Sequence, residues 1–211
     1  MGFGGFGRQD FEIFAIDDFD GRMGAIRANV TPKLRALGEE LAPRVAGLVG
    51  GPVHAHVALH ARRKVNPPDD TWVALGPNAR GYKKAQHFKV AISARGLRFL
   101  FEAGPEFEDR PGFRDRFRRA APKLAPGLIS LEGLGVYADE HDDDPARRLK
   151  GLLARELADL ADSLTARKDG QLVLGRGVAR SEVLKMRSSE VEATALATFE
   201  ALAPVYQLGG P

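Results

Sequence analysis

Four of the chain's five histidines, its only tryptophan and a dense set of cations fall between His54 and Ser93. His56, His60 and His87 could serve as acid, base or ligand near neutral pH, where imidazole ordinarily titrates. Arg62, Lys64, Arg80, Lys83 and Lys84 could hold phosphate, Arg through paired N–H groups and Lys as a compact charge. Trp72 and Tyr82 offer aromatic faces on which a base can stack, and Asp70 is a carboxylate within the same stretch. From His54 to Arg98 there are nine Lys or Arg against two acids, while the whole chain is only +3, so the remainder is net acidic. A field this lopsided concentrates anions, phosphates above all. The expected partner is an anionic ligand, a nucleotide or a nucleic acid, held between His56 and His87.

Other chemistries compete for the same residues. His54, His56 and His60 alternate on one strand and would share a face that suits zinc. No carboxylate sits beside them except Asp69 and Asp70, and Arg62, Arg63 and Lys64 would repel a dication. No metal and no cofactor are therefore expected. His60 beside Asp70 would form a general-base pair, with Ser93 or Thr71 as nucleophile, but no nucleophile elbow, Walker loop or zinc-hydrolase spacing accompanies it. An enzyme acting on a phosphorylated small molecule, with His60 or His87 as acid or base, is the alternative to a binding domain. A structural or protein-interaction domain, with solvated cations and Trp72 and Tyr82 in the core, is a third reading that the sequence leaves open, as it does the oligomeric state.

Two other motifs read as structural. Residues 2–7 match G-x-G-x-x-G letter for letter, yet no strand precedes them, so the expectation is a flexible N-terminus over residues 1–9. The run His141-Asp142-Asp143-Asp144 lacks calcium-loop spacing, and Asp144 before Pro145 reads as the N-cap of a helix.

The elements that must position these residues follow from periodicity. Apolar residues at 19, 23, 26, 30, 34, 37, 41, 45 and 48 form a helical stripe, with breaks expected at Pro32 and Pro43 and an end at Gly50-Gly51-Pro52. Val53 to His60 alternates as a strand, Asn66 to Asp70 is a rigid turn, and Thr71 to Leu75 resumes a strand. Phe88, Val90 and Ile92 pair with Leu97, Phe99 and Phe101 across a tight turn. A helix from Pro111 turns Phe113 and Phe117 inward and displays Arg114, Arg118 and Arg119. A strand at Leu134 to Ala138, a leucine-striped helix over residues 149–164, a strand from Gln171 to Val178 and a helix capped by Ser189-x-x-Glu192 complete the chain. This order predicts a single α+β domain over residues 10–208, its largely antiparallel or mixed sheet flanked by helices.

The stretches His56-x-x-x-His60-Ala61-Arg62-Arg63, Val65-Asn66-Pro67-Pro68-x-Asp70-Thr71-Trp72-Val73-Ala74, Arg80-Gly81-Tyr82-Lys83-Lys84 and His87-Phe88 resemble the core of the YktB-like family of bacterial proteins. That family is grouped as a domain of unknown function. The likeness continues more weakly through Asp10 to Met23 and Thr31 to Pro43. It implies an α+β domain with a sheet covered by helices, and no established activity. Leu75 and Gln86 depart from the pattern, which has an aromatic and a proline there. The absence of cysteine and of any long apolar run fits a cytoplasmic protein with no membrane partner.

Overall fold

Residues 2–61 and 63–210 are described by a computed structural model, so Arg62 lies outside the described residues. Phe3 and Phe6, expected in a flexible arm, are instead buried in the main core ahead of α1 (Arg8–Glu12). The apolar stripe becomes α2 (Phe19–Ala25), a π-helical turn at Ile26–Val30 and α3 (Thr31–Val49), joined end to end. Asp18 caps α2 by accepting the Gly21 N–H at 2.6 Å. Pro32 lies in the first turn of α3, where its missing N–H costs little, but Pro43 sits inside a continuous helix and starts no new one. Gly50 closes α3 at φ 73°, the left-handed conformation that favours glycine.

The strands β1 (His54–Val57), β2 (Asp70–Gly76), β3 (His87–Ser93) and β4 (Gly96–Ala103) form an antiparallel meander. The expected hairpin is present in its expected register, with Phe88 opposite Phe101 and Val90 opposite Phe99. After α4 (Arg110–Ser130) come β5 (Gly135–Tyr137), β6 (Arg147–Arg148), α5 (Ala154–Asp159), α6 (Ser163–Ala166) and β7 (Leu172–Ala179). The chain ends in α7 (Arg180–Val183) and α8 (Ser188–Tyr206). β7 inserts beside β4, giving a seven-stranded antiparallel sheet in the order β1-β2-β3-β4-β7-β5-β6. This is one α+β domain.

Two local expectations are corrected. Pro145 opens no helix: β6 pairs with β5, Leu149 is buried, and the next helix begins only at Ala154, whose entry is capped by Glu156 accepting the Leu153 N–H at 2.8 Å. α8 is capped by Glu190 on the Arg187 N–H at 2.7 Å, while Glu192 lies 3.7 Å from Arg44.

The helices lie on one face of the sheet, where Val73, Phe88, Phe99 and Phe101 meet Leu37, Phe113 and Phe199. Four of the five arginines of α4 have partners in the surrounding helices and loops. Arg110 donates to the carbonyls of Leu164, Lys168 and Gly170, Arg116 pairs with Asp109, and Arg118 pairs with Asp159 and Asp162. They form no extension of the basic stretch, which belongs to the opposite face.

Candidate functional site

The alternation that turns Val73, Phe88 and Phe99 to the helices turns Asp70, Trp72, His87, Lys89, Ser93, Arg98 and Glu102 the other way. Such a face of an antiparallel sheet commonly meets water. Here the loops over residues 77–86 and 138–145 lie across it, and Lys89 and His87 have no exposed surface. Arg98 is 1% exposed and Asp70 3%.

These charges are interlocked. Lys89 Nζ is ion-paired with Glu140 and lies 3.7 Å from Glu102 Oε2. Glu102 Oε2 is 3.3 Å from His87 Nε2, close enough for an ion pair but not aligned for a hydrogen bond. His87 Nδ1 donates to the Ala85 carbonyl at 3.1 Å. Asp70 pairs with Arg98, which also donates to the carbonyls of Glu140 at 3.0 Å and Asp142 at 2.9 Å. The Ser93 hydroxyl donates to Asp143 at 2.6 Å. Burial opposes ionisation of Glu102, but His87 and Lys89 outweigh it and hold its carboxyl well below the usual carboxylate range. Asp70 shows the same balance, with the His141 hydrogen bond and Arg98 overcoming burial.

Trp72 is the hub. It is only 9% exposed, and its Nε1–H donates to the Tyr82 hydroxyl at 2.8 Å. Lys89 Nζ sits 4.1 Å from the indole centroid, in cation–π contact. The rings of His60 and His141 approach the same indole at 5.3 and 5.6 Å. Beside it opens a cavity of about 460 Å³ whose walls include His56, His60, Arg63, Trp72, Tyr82, Lys83, Glu140 and His141. Arg22 fixes the turn that enters β2, donating to the carbonyls of Ile16 at 2.6 Å and Pro68 at 3.0 Å.

Two imidazoles of this wall are pushed apart in pKa. Burial drives His60 down to about 4, so it is neutral at neutral pH. His141 holds Asp70 through Nδ1, 3.0 and 3.1 Å from the two carboxylate oxygens, and that bond raises its pKa above the ordinary value. The Nε2 of His141 lies 3.8 Å from Glu140. His60 also has φ 50°, the one positive φ at a non-glycine position among the described residues. Left-handed backbone at a residue with a Cβ is strained, and strain of this kind collects at functional sites.

The structure brings together His56, His60, Trp72, Tyr82 and Lys83 at the cavity and places Asp70 behind it. His56 Nε2 donates to the Asn78 carbonyl at 2.9 Å. Lys64 and Arg80 are exposed and do not line the cavity, Lys84 points away to Glu108 at 2.8 Å, and Lys83 lies 3.5 Å from Glu106. His87 is sealed beneath the Tyr82 ring, 4.7 Å away, so it is no acid or base for a ligand in this cavity. The His60–Asp70 pair, which no motif in the sequence supported, does not form: Asp70 pairs with His141, while His60 Nε2 meets the Thr71 hydroxyl at 3.1 Å. The three-histidine face is also corrected, because β1 ends at Val57 and the turn at His60 breaks the alternation. Lys89, Arg98, Glu102, Glu140 and His141 were missed. Their signal was a lysine and an arginine inside central strands, opposite an acidic run that carries the fifth histidine.

Residues 6–206 match the model of a family described as a domain of unknown function, DUF1054. The chain belongs to this family. A UPF0637 protein of Bacillus licheniformis is 32% identical over 203 residues, covering 96% of this chain and 95% of the relative. UPF0637 proteins of Bacillus thuringiensis strain Al Hakam and Bacillus cereus strain AH187 are each 31% identical over 205 residues, 94% of both chains. The DUF1054 match thus spans the whole sheet, both covering loops and the cavity, and bears out the YktB-like resemblance. The DUF1054 description assigns no activity. Among the described residues no helix is long and apolar enough to cross a membrane.

Proposed function

We propose that this protein binds a small phosphate-bearing ligand of the nucleotide class in the cavity beside Trp72. The observation that carries the reading is the wall itself: aromatic and imidazole rings of Trp72, Tyr82, His56, His60 and His141, with Arg63 and Lys83 as cations. A concave site of about 460 Å³ falls in the range of small-molecule pockets, roughly 300–1,000 Å³. Its shape supports a mononucleotide over a nucleic-acid strand, which would need a basic groove longer than Arg63 and Lys83 supply. Arg63 and Lys83 would meet the phosphate, and Tyr82 and His141 would flank a flat ring. The buried ions beneath it support the same reading. Replacing such a network by apolar residues is often neutral or stabilising, so its presence fits a site that must be held in shape.

Titration calorimetry with adenosine monophosphate tests this. One-to-one binding that weakens with added salt and falls at least tenfold in the Arg63→Ala, Lys83→Ala double variant is expected. Undiminished binding by a folded double variant would remove the cavity from the account.

A further inference from the structure

We propose that the cavity hydrolyses a phosphate ester, with His60 as general base and His141, oriented by Asp70, as general acid. This rests on the reading that the cavity takes a phosphate-bearing ligand. The geometry comes first. Both imidazoles line one cavity and approach one indole, at 5.3 and 5.6 Å. Asp70 occupies Nδ1 of His141 with both carboxylate oxygens, fixing the ring and leaving Nε2, 3.8 Å from Glu140 on the same cavity wall, as the nitrogen that can give up a proton. Asp70 is itself held by the buried Arg98. His60 is carried on the strained, left-handed turn that ends the β1 segment.

Paired groups whose surroundings drive their pKa values apart mark an acid and a base. Around His60 stand Asp70, Arg63, His141 and Lys89, and burial dominates, leaving the ring neutral. Around His141 stand Asp70, Glu140 and Lys89, and the Asp70 bond dominates, shifting the ring toward its protonated form. In the step, neutral His60 takes a proton from water as the water oxygen forms the new P–O bond. The ester P–O bond breaks, its electron pair stays on the alcohol oxygen, and that oxygen takes the proton from His141 Nε2. The products are an alcohol and inorganic phosphate from a monoester, or an alcohol and a phosphate monoester from a diester, and both rings recover by proton exchange with solvent. His60 and His141 are catalytic residues here, and Asp70 is a positioning residue.

The test uses the purified full chain with p-nitrophenyl phosphate and bis(p-nitrophenyl) phosphate, following p-nitrophenolate release and, in parallel, Trp72 emission for binding. Turnover of one of the esters is expected, which also separates monoester from diester chemistry. It should fall at least about 100-fold in His141→Gln and in His60→Asn, with kcat falling by more than KM rises in each. Asn is chosen at His60 because it tolerates the left-handed backbone. The rate should rise through about pH 4, as His60 loses its proton, and fall again above the ordinary histidine range. Asp70→Asn should move the falling limb to lower pH. An ester that is bound but never turned over overturns the catalytic proposal and leaves the binding reading standing. Failure to bind either ester overturns both. Turnover that survives in both histidine variants overturns the proposal as well.

Discussion

His60 and His141 stand against the same indole, yet burial pushes the pKa of one down while a carboxylate pulls that of the other up. Proton NMR of the imidazole C–H signals, assigned with His60→Asn and His141→Gln, should show one titration near pH 4 and the other above the ordinary 6.5. Two titrations near 6.5 would contradict both environments. The stability consequences run in opposite directions. Below pH 6.5 the unfolded chain binds the His60 proton more readily than the folded one, so this group lowers stability as pH falls from 6.5 toward 4. His141 contributes stability that is complete below 6.5 and lost as pH rises through its higher folded value. Sequence alone singled out His60, Trp72 and Tyr82, because rare residue types were crowded into one stretch. It could not supply Asp70's partner, since His141 lies 71 residues away and joins the site only through the fold.

At the scale of elements, the cavity depends on how closely α3 seats β1 and β2. A Cβ on Gly38 would come within 2.7 Å of Val73 Cγ2 and 2.9 Å of Ala55 Cβ. Gly38→Ala raises intrinsic helix propensity by about 1 kcal/mol, whereas overpacking of this kind costs about 1–3 kcal/mol. The net effect expected in urea unfolding is destabilisation by up to about 2 kcal/mol. A gain in stability would mean that the helix and sheet can separate without strain. The strands and the β3–β4 register were legible because one face of each strand is apolar with period two. That same alternation hid part of the site: Lys89, Arg98 and Glu102 take the polar positions of their strands, and no local signal says that loops 77–86 and 138–145 fold over them. The cap at Asp144 failed for a related reason, because Asp143 and Asp144 are drawn to Ser93 and Arg95 instead of to a helix start.

Across the whole molecule the two faces of the sheet do different work. One face holds the aromatic and aliphatic core against the helices, and the other holds paired charges beneath the loops. The excess of cations between His54 and Arg98, plain in the sequence, is largely spent: Lys89 and Arg98 are locked in the network, and Lys83, Lys84 and Arg95 face acids. What was legible as a basic surface is therefore a small concave site with few cations. The most direct measurement is Trp72 fluorescence, because this single indole touches Lys89, His60, His141 and Tyr82 at once. Saturable change in its emission with adenosine monophosphate, competed by inorganic phosphate and weakened by Lys83→Ala, is the predicted result. Emission indifferent to mononucleotides and phosphate, with calorimetry equally silent, would contradict the assignment of this cavity as a phosphate-ligand site.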